Sequence, residues 1–181
     1  MLKTALVHEW LTGWGGAESC VQSISKLWPM DAYVLVHDPA FSSKSEFQFS
    51  NLKSSFIQRL PFAKKKYRSY FPLFPIAVEQ HDLSSYELIL SSSHISAKGG
   101  LISPHQLHIC YCYSPARYAW DLQHEYLRES GLTGFSVKAI LARYFLHKFR
   151  TWDYISAVRV DHFIAISKFI ASRIKRVYGR E

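Results

Sequence analysis

Residues 88–90 and 107–112 are apolar runs without a polar face, the pattern of strands covered on both sides by other structure. Strands of that kind belong to parallel sheets, whose crossover connections lay helices on both faces. The rest of the chain fits this constraint. Residues 4–7 read as a first strand, followed by a glycine cluster at Gly13, Gly15 and Gly16. Ala17, Val21, Ile24 and Leu27 then recur at helical spacing up to Trp28, where Pro29 stops the pattern. Residues 32–36 read as a second strand closed by Asp38 and Pro39, and residues 52–57 as a weaker third beyond a polar, linker-like stretch at 42–55. Ser136 opens a long helix with one apolar stripe, Val137, Ile140, Leu141, Tyr144, Phe145, Trp152 and Ile155. Residues 163–166 form a last strand. Ser167 is placed to cap a helix through Val177 that Gly179 can end. The expectation is an α/β fold with a Rossmann-like, doubly wound, mostly parallel sheet, in which ligands gather outside the carboxyl ends of the strands.

Composition narrows the class. With 181 residues, 48% hydrophobic and 20% charged, the chain has enough apolar material for one packed core, which argues against disorder and disulfide scaffolds. No apolar run approaches the ~20 residues needed to span a bilayer. The three cysteines are an odd count, and Cys110 and Cys112 alternate with tyrosines, which suits reduced core thiols and a cytoplasmic location. The net charge of +8 should attract an anionic partner. Nucleic acid, anionic lipid headgroups, phosphorylated small molecules and a simple surplus of solvated lysines all remain open on charge alone.

Four polar motifs follow strands or flank them. Gly15 and Gly16 precede a helix, where free backbone N–H groups and the helix dipole favour an anion. The loop matches neither the dinucleotide fingerprint nor the P-loop, and taken alone a tight turn explains it as well. Ser91-Ser92-Ser93-His94-Ile95-Ser96-Ala97-Lys98-Gly99-Gly100 gathers hydroxyls, an imidazole and an amine at one strand end. His94 is its best catalytic candidate, against a purely structural histidine. In Tyr113-Ser114-Pro115-Ala116-Arg117-Tyr118-Ala119-Trp120-Asp121, Arg117, Trp120 and Asp121 suit sugar or phosphate recognition, although Arg117 and Asp121 could equally form an ordinary i, i+4 ion pair. Cations alternate with aromatics through Lys64, Lys65, Lys66, Tyr67 and Arg68 up to Phe74, as in a segment that lies on a lipid surface; a solvated charge run beside a core-facing stripe is the commoner alternative. The cysteine spacing lacks a second ligand pair, so no metal site is expected.

In their order along the chain, Val7-His8-Glu9-Trp10-Leu11 leading into Gly15-Gly16-Ala17-Glu18, then Ser93 to Gly99, then Tyr111 to Asp121, and Ile164-Ala165-Ile166-Ser167 before Tyr178-Gly179-Arg180, the residues resemble the N-terminal domain of family-4 (group 1) glycosyltransferases, nearest to bacterial mannosyltransferase types of surface-polysaccharide assembly. The likeness spans nearly all of residues 1–181. It implies one half of a two-domain GT-B enzyme, the acceptor-side lobe, with a C-terminal donor-binding lobe outside this sequence. Transfer would be metal-independent and retaining, with no cofactor beyond a nucleotide-sugar donor, GDP-mannose first, and a lipid-linked or polysaccharide acceptor. By the same resemblance Gly15 and Gly16 face the donor diphosphate and Tyr113 stands at the catalytic centre, where His94, read from its own motif, would join it. On the chemistry of their own motifs, Lys98, Arg117, Trp120 and Asp121 would bind the acceptor and residues 64–68 would contact the inner face of the plasma membrane as a peripheral protein does. Two departures stand out: Tyr113 occupies a position where relatives have histidine, and Ile166 one where asparagine is frequent. Two other readings stand beside this one, a non-enzymatic basic α/β module for nucleic acid or a protein partner, and a self-contained sugar-phosphate enzyme.

Overall fold

The computed structural model of the chain describes residues 2–181. The elements run in chain order as β1 (Thr4–Leu11), α1 (Gly16–Ser25), β2 (Met30–His37), α2 (Pro39–Lys44), β3 (Phe49–Ser54), α3 (Ala63–Lys66), α4 (Phe74–Glu79), β4 (Leu88–Ser93), β5 (Leu107–Cys112), α5 (Gln123–Glu129), α6 (Val137–Val158), β6 (His162–Ala165) and α7 (Lys168–Tyr178). All six strands are parallel, in the spatial order β3-β2-β1-β4-β5-β6. This is the Rossmann-like, doubly wound arrangement expected from the sequence. The order reverses direction between β1 and β4, so a crevice opens at the carboxyl ends of those two strands.

Side chains of β1 feed two cores, and the alternation seen over residues 5–7 is reversed at Trp10 and Leu11. Ala5, Val7 and Trp10 join Ile57, Phe74 and Val78 on one face, whereas Leu6 and Leu11 join Val21, Met30 and Leu90 on the other. Each fully buried Val or Leu removes enough apolar area from water to contribute roughly 1.5–3 kcal/mol, so the central strands are fixed by burial on both sides. Helix ends follow local chemistry. The Ser136 hydroxyl accepts from the Ala139 amide at the start of α6, and the Ser167 hydroxyl accepts from the Ile170 amide at the start of α7. Gly179 closes α7 at φ +66°, a left-handed conformation that favours glycine. Gly99 is needed for a different reason: a Cβ there would lie 2.2 Å from the Trp152 ring.

Three sequence expectations are corrected. The first strand does not stop at Val7 but continues to Leu11 through buried His8 and Glu9, because both side chains find partners on the β4 side. The third strand lies at 49–54 rather than 52–57, since Ser55 turns the chain into a 3-10 turn, its hydroxyl accepting from the Ile57 amide. The stripe on α6 is divided, since only Trp152 of its seven residues packs against the core. Ala139, Phe149, Asp153, Ser156 and Ala157 are the buried positions, and Val137, Ile140, Leu141, Tyr144, Phe145 and Ile155 are exposed.

Candidate functional site

Loops leaving β1, β4, β5 and β6 border one cleft at the strand ends. Its first lobe, about 800 Å³, is lined by the 12–18 loop, Cys20, Tyr111 and Ile166. The second, about 830 Å³, is lined by Phe71, Phe74, Tyr118, Tyr126, Phe169 and Arg173 among others. Trp10, Arg68, His94, Tyr113 and Arg117 line both, so they form the ridge between the two lobes. One lobe is therefore rich in backbone and small residues, and the other in aromatic rings with cations at the rim.

Beneath the ridge lies a group that the sequence reading passed over. Glu9 is fully buried at the end of β1. Its Oε1 accepts from the Ser93 hydroxyl at 3.1 Å and from four successive amides, His94 at 3.1 Å, Ile95 at 2.9 Å, Ser96 at 2.9 Å and Ala97 at 3.0 Å. A turn of consecutive N–H groups makes such an anion-holding concavity, here filled by the protein's own carboxylate. The other oxygen, Oε2, is 3.0 Å from His94 Nδ1 and 3.9 Å from His8 Nδ1. Burial on its own would raise the Glu9 pKa, but the two histidines and the amide donors outweigh it and hold the carboxyl well below the usual range. His94 shows the reciprocal effect: burial favours the neutral ring, and the Glu9 charge outweighs burial and raises the pKa. His94 Nδ1 is held to Glu9 by charge at ion-pair distance, without a hydrogen bond between Nδ1 and Oε2; no described residue hydrogen-bonds to Nε2, and the ring packs edge-on to Trp10 at 4.8 Å.

A second polar chain ties the glycine loop to the sheet. His8 Nδ1 lies 3.0 Å from the Ser92 carbonyl; since a carbonyl only accepts, Nδ1 carries the proton. The Tyr113 hydroxyl donates to the Ala17 carbonyl at 3.1 Å and accepts from the Ser92 hydroxyl at 2.9 Å. Burial pushes the Tyr113 phenol up, against a smaller opposing effect of Ser92, so it stays protonated. The tyrosine is a strut between β5 and the start of α1, not a base. At that helix start the Ser19 amide bonds the Gly15 carbonyl, which leaves the Gly16, Ala17 and Glu18 amides without helical acceptors. The Glu18 carboxylate leans over the same end, 3.9 Å from His8 Nε2. Burial would raise its pKa, but His8 and the Glu18 amide lower it on balance.

The residues expected at the site divide sharply. Gly15, Gly16, His94, Tyr113 and Arg117 border the cleft together. Lys98 does not: it is fully buried, paired with Asp153, and its ammonium lies over the Tyr178 ring at 5.1 Å. Trp120 is turned to the same carboxylate, donating from Nε1 to Asp153 at 2.7 Å. Lys98 and Trp120 thus leave the acceptor side, because a buried charge must be paired and hydrogen-bonded. Asp121 pairs with Arg173 across the second lobe's edge and not with Arg117 four residues earlier. Of the basic segment, Lys64, Lys65 and Lys66 stay in solvent, Lys64 lying 3.8 Å from Asp38. Tyr67 packs on Trp10 at 4.6 Å, and Arg68 covers the same ring from the cleft. Tyr70, Phe71 and Phe74 also pack inward while Phe62 stays exposed, and Tyr67 and Arg68 line the cleft.

Among the residues that sequence reasoning missed, Glu9 and Trp10 carried a usable signal, a charged residue and an indole continuing an apolar strand. His8, Ser92 and Arg173 carried none, since their partners are remote in sequence. Cys20, Cys110 and Cys112 are all free thiols. No helix among the described residues is long and apolar enough to cross a membrane. Comparison with protein-family models, with curated proteins and with solved structures finds no match to this chain.

Proposed function

We propose that this chain is the acceptor-side half of a retaining, nucleotide-sugar-dependent glycosyltransferase, with GDP-mannose the first donor to test and a lipid-linked or polysaccharide acceptor. The observation that carries this reading is the convergence of the glycine loop, His94 and Arg117 on one two-lobed cleft at the point where the strand order reverses. A second lobe, expected from the resemblance and outside this sequence, would close over the glycine side and bring the nucleotide.

Each residue then has a physical task. The free amides at Gly16 and Ala17 stabilise the charge that grows on the departing diphosphate. His94, fixed by Glu9, presents Nε2 to a sugar hydroxyl as a hydrogen-bond donor, and the Glu9 nest keeps that ring in one orientation. Tyr113 holds the glycine loop at its distance from the sheet. The aromatic walls of the second lobe pack on the acceptor while Arg117 and Arg68 meet an acceptor phosphate. Glu18 places a negative charge beside the phosphate position, so Glu18→Gln should tighten diphosphate binding several-fold.

Sugar transfer from a panel of nucleotide sugars to lipid-linked acceptors tests the proposal, using the chain together with its second lobe. His94→Ala should lower turnover by roughly 100-fold or more while the fold is retained. Turnover equal to wild type would remove His94 from the mechanism. Salt-sensitive, micromolar oligonucleotide binding without any transfer would instead favour the nucleic-acid module.

A further inference from the structure

The first half of α6 presents an apolar side to solvent. Val137, Ile140, Leu141 and Tyr144 recur at the i, i+3, i+4 spacing of one helix face, opposite the buried Ala139 and Phe149. Val137 is 73% exposed, and Phe135, in the turn just before the helix, is 95% exposed. Soluble surfaces seldom carry large apolar side chains gathered on one helix face, and such a patch marks a surface that meets something. Its charge says what. Lys138 and Lys148 stand exposed beside the stripe, Arg143 and Arg150 lie on the same helix, and no Asp or Glu occurs between Glu129 and Asp153. Lys148 folds over the Tyr144 ring at 5.7 Å, its stem along apolar surface and its charge outward.

We infer that this face of α6, with Phe135, is a docking surface for an anionic lipid bilayer, the helix lying in the plane of the headgroups. Aliphatic and aromatic side chains enter the acyl boundary while Lys138 and Lys148 remain among lipid phosphates. A second copy of the chain is a poorer occupant, because two such faces would bring lysines together with no carboxylate to answer them. A nucleic acid is also a poorer occupant, because the two arginines of this part of the helix are taken up by backbone carbonyls, Arg143 by Gly134 and Thr133 and Arg150 by Ala119, and the centre of the stripe is aliphatic. The inference replaces residues 64–68 as the membrane contact, and it does not depend on sugar transfer, because vesicle binding is read without any donor.

The test is co-sedimentation of the full chain with vesicles of mixed phosphatidylglycerol and phosphatidylcholine and with vesicles of phosphatidylcholine alone. The chain should bind the mixed vesicles more tightly, and increasingly so at low salt. An Ile140→Gln, Leu141→Gln, Tyr144→Ser triple variant should lose roughly tenfold or more in vesicle affinity with its circular dichroism unchanged. Lys138→Glu with Lys148→Glu should lose a comparable factor on the anionic vesicles only. Wild-type affinity in the triple variant overturns the inference. So does loss confined to a Lys64→Glu, Lys65→Glu, Lys66→Glu variant. Failure of the wild type to sediment, with self-association that the triple variant abolishes, would also overturn it and assign the face to a second copy.

Discussion

The strand-end cleft and the outer face of α6 break the same rule in opposite directions. Beneath the cleft, charged and polar side chains that ordinarily seek water are buried: Glu9, His8, Ser92, Lys98 and Asp153. On α6, apolar side chains that ordinarily leave water are exposed. In folded proteins it is these two departures, and not exposed charge or buried leucine, that carry information about function. The first is stable because each charge is answered within the fold, by an amide nest for Glu9 and by Lys98 for Asp153. The second has no answer within residues 2–181, which is why it points outward to a partner.

That contrast can be broken most forcefully at the buried ion pair. Lys98→Met or Asp153→Leu alone leaves one uncompensated buried charge and should cost about 3–5 kcal/mol, whereas the double variant should cost less than either. Urea unfolding of the three variants reads this, and additive losses would contradict it. Glu9→Gln keeps an acceptor but removes the charge that His94 and the amides surround, at a cost of about 2–3 kcal/mol by the same measurement. Tyr113→Phe deletes the strut between β5 and α1, a loss of about 1 kcal/mol. On the exposed helix, Ile140→Gln with Leu141→Gln should change stability by no more than about 0.5 kcal/mol per site; a larger loss would show that the stripe is packed after all.

The pH dependence sharpens the same comparison. Because the folded pKa of His94 is raised, its stabilising pairing with Glu9 is complete below the ordinary histidine value near ~6.5 and fades as pH rises through the raised folded value. The difference in Tm between wild type and His94→Asn should therefore be largest in mild acid and shrink toward alkaline pH. His81 and His108 act in the other sense. Burial pushes both down to about 4, so the unfolded chain takes up protons first and stability falls as pH drops from ~6.5 toward that value.

The sheet was legible from the sequence because strands buried on both faces need no partner information: residues 88–90 are apolar whatever lies above them, whereas β5 is buried on one face only and carries His108 within its run, bonded to Ser91 and the Arg159 carbonyl. The edge strand β3 was harder, since half its side chains face solvent and its residues carry little contrast with the loop before it. Helical periodicity located α6 but not its orientation, because the same spacing describes a stripe turned to the core or away from it. That Gly15, Gly16, His94, Tyr113 and Arg117 would border one cleft followed from topology, since all of them come after strand ends. Lys98 was misplaced for want of Asp153, 55 positions away, and Glu9 was passed over because its amide donors lie 85–88 positions on.

The central claim is that the glycine loop and the ridge around His94 form a single ligand site. A titration of the isotopically labelled chain with GDP, followed by amide NMR, tests it most directly. The account predicts shifts confined to the amides of residues 13–18, with smaller ones at His94 and Arg117, and larger shifts in Glu18→Gln. Shifts centred on α6 or α7, or spread evenly over the lysine-rich surface, would contradict it.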